Sequence, residues 1–124
     1  MSFDRVRAAI RDIPDFPKPG ILFKDITPIL SDPALFKTVV DAFAARHKNS
    51  GVTKIAAVES RGFLFGAAVA YQLGLGLVPV RKKGKLPYKT VEQTYDLEYG
   101  TATLELHQDA FRAGDLVVLI DDPL

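Results

Sequence analysis

The chain is 124 residues long, with 16 Lys and Arg against 15 Asp and Glu, a net charge of +1, 48% hydrophobic residues and no cysteine. That length suits a single domain over residues 1–124 with one packed core, and the composition excludes an intrinsically disordered chain. The near-neutral charge leaves no global field to draw nucleic acid or an anionic membrane, and the missing cysteine excludes disulfides, thiolate catalysis and thiolate metal sites.

The first twelve residues carry charges at Asp4, Arg5, Arg7, Arg11 and Asp12, so they lack the apolar run of a secretory signal, and a cytoplasmic location is expected. Phe3, Val6 and Ile10 recur at helical spacing and predict a short amphipathic helix. Pro14, Pro17 and Pro19 then precede Gly20; each proline fixes φ and removes an amide donor, which predicts a rigid connector, followed by an extended stretch from Ile21 to Leu30. A longer helix follows. Ser31 or Asp32 is placed to cap it, Pro33 suits its first position, and Leu35, Phe36, Val39, Val40 and Phe43 form one apolar face before Gly51.

The middle of the chain reads as strand Lys54–Val58, a polar turn, a helix ending at Gly74 and strand Leu77–Arg81, a βαβ unit with parallel strands. The longest uncharged apolar run, Gly62 to Tyr71, is too short to span a bilayer. Beyond Arg81 a basic, turn-rich segment leads into alternating apolar and polar residues on both sides of Gly100, which predicts an antiparallel hairpin. Gly114 and Asp115 turn the chain into a last strand, Leu116–Ile120, that runs into Asp121 and Asp122. The expected fold is α/β, an open, mainly parallel twisted sheet flanked by helices.

In such a sheet ligands bind beyond the carboxyl ends of the strands, and three of four chemistry-bearing stretches fall on that edge. Asp121 and Asp122 end one strand; they suit sugar hydroxyls or water-held Mg²⁺, or simply begin an exposed loop. Glu59, Ser60 and Arg61 form a turn between strand and helix, where backbone amides and a guanidinium suit an anion, or where Ser60 merely caps the helix. Arg81, Lys82, Lys83 and Lys85 follow a third strand end, as polyphosphate contacts or as a solvated charge run without the aromatics of a nucleic-acid surface. The fourth stretch holds Leu22, Phe23 and Lys24, where an aromatic ring beside backbone groups suits a planar heterocycle or packs in a core.

Taken in order, the stretches 15–30, 59–87, 95–100 and 117–122 resemble the adenine-using branch of the type I phosphoribosyltransferase family, and the resemblance covers nearly the whole chain from Asp15 onward. It implies that family's fold, with residues 82–107 as a flexible antiparallel hood, and purine salvage: adenine and 5-phosphoribosyl 1-pyrophosphate (PRPP) give AMP and pyrophosphate, with Mg²⁺ carried on the diphosphate rather than by protein ligands. By the same resemblance, backbone groups of Leu22 read the base edge, Phe23 stacks on it, and Lys24 stands where many members have arginine. Glu59, Ser60 and Arg61 match the pyrophosphate turn, with a cis peptide between Glu59 and Ser60 and with Glu59 in place of the usual aspartate. Arg81, Lys82 and Lys85 match the cations near the diphosphate, Asp121 and Asp122 the acids on the ribose hydroxyls, and Glu98 the hood acid that manages the proton at N7 and N9.

The resemblance also implies small-molecule partners, a homodimer, and no nucleic acid or membrane. The family's phosphate loop of small residues would come next after Asp122, so a chain incomplete at its C-terminus is expected, leaving an uncovered sheet edge at Leu116 to Ile120. Two other readings compete: a catalytically silent ligand-sensing regulator built on the same fold, which would need a DNA-binding segment and a basic surface, and an inactive fragment of the enzyme.

Overall fold

In a computed structural model of the protein, residues 3–97 and 100–121 are described, and they form two units, one extending to Arg46 and the other starting at His47.

The first unit runs α1 (Asp4–Ala9), β1 (Arg11–Pro14), β2 (Leu22–Asp25), α2 (Thr27–Leu30) and α3 (Pro33–His47). β1 and β2 pair antiparallel, with Arg11 opposite Asp25 and Pro14 opposite Leu22. The proline-rich stretch is therefore a two-stranded ribbon and its turn, where the sequence predicts only a connector. Its prolines fit because Pro14 is the last residue of its strand, where a missing amide costs the ladder least. Between the strands Asp15 adopts φ 58° and Gly20 φ 87°, and the Asp15 carboxylate accepts the Gly20 N–H at 2.8 Å. Ion pairs Arg11–Asp25 at 2.8 Å and Lys24–Asp12 at 2.5 Å brace the ribbon. Asp32, one of the two expected caps, caps α3 by accepting the Ala34 and Leu35 N–H groups at 2.9 and 3.2 Å.

The second unit runs β3 (Lys54–Val58), α4 (Arg61–Leu73), β4 (Gly76–Lys82), β5 (Thr90–Leu97), β6 (Gly100–His107) and β7 (Val117–Ile120). They form one sheet in the order β5-β6-β4-β3-β7. β3 is parallel to both β4 and β7, while β6 pairs antiparallel with β4 and with β5. The βαβ unit and the hairpin thus stand as the sequence predicts, and the last strand begins one residue later than expected.

The central strand is apolar on both sides because both sides are covered: Ile55 and Ala57 on one face, and Ala56 and Val58 on the other, are all buried. On one face α4 lies so close that a Cβ added at Gly66 would come within 2.6 Å of the Ala57 Cβ, and one at Gly62 within 2.7 Å of the Ile120 carbonyl oxygen. On the other face Ala56, Val58, Val78 and Val80 pack against Leu104, Leu106, Phe111 and Val117. α4 stops at Gly74, whose φ of 70° allows the left-handed cap.

The register of β7 on β3 is set at its start. The Thr53 hydroxyl donates to Asp115 at 2.8 Å and accepts the Leu116 N–H at 3.0 Å, Lys54 meets Asp115 at 3.1 Å, and Arg112 N–H donates to Asp115 at 2.7 Å. With β3 on one side and no strand among the described residues on the other, β7 is an edge strand, and Leu116 and Leu119 are half exposed. Among the described residues no helix is long and apolar enough to cross a membrane.

Candidate functional site

The parallel strands β3, β4 and β7 end at Val58, Lys82 and Ile120, and parallel pairing puts those ends on one rim. The segment after β3 carries a cis peptide between Glu59 and Ser60, as expected from the resemblance. Ser60 occupies the N-cap position of α4, yet its side chain makes no capping hydrogen bond and is exposed. The hydroxyl is therefore not used in the way the competing helix-cap reading requires. Arg61 is the first residue of α4.

Glu59 turns toward the neighbouring strand. Its Oε1 accepts the Lys82 N–H at 2.8 Å and the Arg81 Nε–H at 3.2 Å. Burial opposes ionisation of this carboxyl, but the Lys82 amide, the Arg81 guanidinium and the charge of Lys85 outweigh it and hold Glu59 below the ordinary glutamate range. The carboxylate therefore orients Arg81 and the start of the basic turn. That turn closes through Lys85 N–H to the Lys82 carbonyl at 3.3 Å, with Gly84 at φ 89°, a backbone that glycine adopts without strain. Lys82 and Lys85 stay exposed.

Asp121 joins the rim from the third strand. The close approach of Gly62 to the Ile120 carbonyl, with the Asp121 carbonyl carbon at 3.4 Å from an added Cβ, seats it beside the first turn of α4. Ser60, Arg61, Arg81, Lys82, Lys85 and Asp121 thus share one edge of one sheet, with Glu59 behind them. Cations and helix-terminal amides there suit a multiply charged anion, and a carboxylate suits hydroxyl groups.

Leu22, Phe23 and Lys24 lie on β2 in the first unit. Leu22 is half exposed and stands opposite Pro14, which has no N–H to give its carbonyl. Phe23 meets Phe16 edge to face, with ring centroids 5.1 Å apart. Asp25, the next residue on, accepts the Thr27 N–H and hydroxyl at 2.9 and 2.7 Å; these bonds, with Arg11, lower its pKa against a smaller opposing effect of burial. Glu98 and Asp122 lie outside the described residues.

Two features of the second unit were not foreseen from sequence: the Thr53–Lys54–Asp115 brace, and Glu105 on β6, buried at 7% exposure. Alternation puts Glu105 on the face of β6 that also carries Thr101, Thr103 and His107, so nothing in the local pattern marks it as buried. No three His, Asp or Glu side chains converge among the described residues, so the donor set does not suit an all-protein metal cage. It does suit Mg²⁺ that keeps its waters and is held through diphosphate oxygens, which needs one or two carboxylates at most, and Asp121 stands on that rim.

No family model matches the chain. Among curated proteins, an adenine phosphoribosyltransferase of Acidothermus cellulolyticus is 60% identical over 119 residues, 96% of this chain and 67% of its own length. Among solved structures, adenine phosphoribosyltransferase from Thermoanaerobacter pseudethanolicus superposes with a TM-score of 0.92 at 51% identity, covering 98% of this chain and 70% of that one. The enzyme from Saccharomyces cerevisiae, crystallised with adenine and an imino-altritol bisphosphate, gives a TM-score of 0.88 at 42% identity over 95% of this chain and 69% of its own.

Proposed function

This chain belongs to the adenine phosphoribosyltransferase family, and we propose that it carries out purine salvage, joining adenine to PRPP to give AMP and pyrophosphate. The observation that carries the reading is the gathering of Ser60, Arg61, Arg81, Lys82, Lys85 and Asp121 on the carboxyl rim of three adjacent parallel strands. Such a rim is complementary to a sugar bearing a diphosphate.

Each residue then has a task. Arg61, Arg81, Lys82 and Lys85 hold the diphosphate and stabilise the negative charge it gathers as it leaves the anomeric carbon. Asp121 would help hold Mg²⁺ through its waters, and the ion would supply further neutralisation of the diphosphate charge. Asp121 and Asp122 accept hydrogen bonds from the ribose hydroxyls. Phe23 stacks on the base, whose edge is read by backbone groups of Leu22, including a carbonyl that Pro14 cannot engage. Lys24 holds its strand through Asp12, with a point charge in place of a planar fork. Glu98, on the hood over residues 82–107, takes the N9 proton as the base attacks, and closure of the hood excludes water from the donor. The reading includes a cytoplasmic homodimer acting on small molecules.

The test is a coupled assay for AMP and pyrophosphate with adenine, hypoxanthine and guanine as acceptors. Adenine is expected to be preferred, and Glu98→Gln to lower turnover by about 10²- to 10⁴-fold, the range for one positioned proton transfer. Equal use of the oxopurines removes the base assignment.

A further inference from the structure

Glu105 is the one charged residue buried among the described residues, at 7% exposure, and no step of the proposed reaction uses it. Its two oxygens hold different segments. Oε1 accepts the Gly84 N–H at 2.7 Å, in the middle of the basic turn, and Oε2 accepts the Thr90 hydroxyl at 2.8 Å, at the first residue of β5. Arg81 is its register partner across β4 and Glu92 its partner across β5; Lys83 reaches Glu92 at 3.5 Å, so the surrounding charge is mixed. The Gly84 amide first, then the Thr90 hydroxyl, keep the Glu105 carboxyl below its ordinary pKa despite opposing burial. An ionised group this enclosed persists where donors are fixed around it. Those donors are the middle of the cationic turn and the beginning of the hairpin that follows.

We infer that Glu105 is a positioning residue that locks the Lys82–Lys85 turn in the shape that presents its cations to a diphosphate. Glu59 holds that turn where it leaves β4, and Glu105 holds it at Gly84. The inference rests on the reading of Lys82 and Lys85 as diphosphate contacts. Glu105 itself touches no substrate in this scheme; it acts through the turn.

The experiment compares the wild-type chain with Glu105→Gln and Glu105→Ala by amide hydrogen exchange and by calorimetric titration with magnesium pyrophosphate. Glu105→Ala is expected to speed exchange at Gly84 by about tenfold or more and to weaken pyrophosphate binding by about tenfold, with the amides of β3 and α4 unchanged. Glu105→Gln keeps an acceptor and the side-chain shape, so it should fall between the two. Gly84 exchange as slow as in the wild type, or faster exchange spread evenly over β3 and α4, overturns the positioning role. If Glu105→Ala does not fold, Glu105→Gln decides by the same two readouts. A wild-type chain that binds no pyrophosphate, or a Lys85→Ala variant that binds it equally well, overturns the reading of the basic turn instead, while the Gly84 amide still decides whether Glu105 sets its shape.

Discussion

Asp115 shows how a residue far from the rim contributes to it. The Arg112 N–H, the Thr53 hydroxyl and Lys54 hold its carboxylate and lower its pKa from 3.8 to about 2 against a smaller effect of burial. A depressed folded-state value stabilises the fold above the unfolded pKa, and that contribution is lost as pH falls through the folded one. Stability is therefore expected to drop between about pH 4 and pH 2, and Asp115→Asn to remove this share of the acid dependence, as followed by urea midpoints across that range. An unchanged acid profile in the variant would remove Asp115 from the account. At this scale the sequence was legible where a polar residue follows an apolar strand, as with the placement of Arg61 and Asp121 on one rim. It was not legible where partners are distant: Glu59 and Arg81 are 22 positions apart, and the register of β3 on β4 alone joins them.

α4 shows the same limit at the scale of an element. Gly62 and Gly66 look like defects in a helix, because alanine there would favour helix formation by up to about 1 kcal/mol. Packing reverses that sign, since a Cβ on Gly66 would stand 2.6 Å from the Ala57 Cβ. Gly66→Ala is expected to destabilise the chain by about 1–3 kcal/mol, as overpacking does, in chemical denaturation; a stabilised variant would mean that α4 does not lie on β3 this closely. Helical period and strand length revealed α3, α4, β3 and β4 from sequence. β1 was missed because it has four residues and ends in proline, so local signals favoured a connector until its pairing with β2 was seen.

For the molecule as a whole, the pairing that matters most is the one no local pattern encodes. β7 returns beside β3, and that return brings Asp121 to the turn at Ser60 and Arg61. The apolar run before the acids hinted at a buried strand, while its neighbour was fixed by Thr53, Lys54 and Asp115. The same architecture recurs in enzymes of the family at 42–51% identity, which is why family membership carries the functional reading further than any single residue. Its central claim is that the charged rim at the carboxyl ends of β3, β4 and β7 holds a sugar that bears a diphosphate. The most direct measurement is a magnetic resonance titration of the isotope-labelled chain with AMP in the presence of magnesium pyrophosphate. The account predicts that Arg61, Lys85 and Asp121 shift together along one saturating curve; no shift at these rim residues, or a separate curve for each, would contradict it.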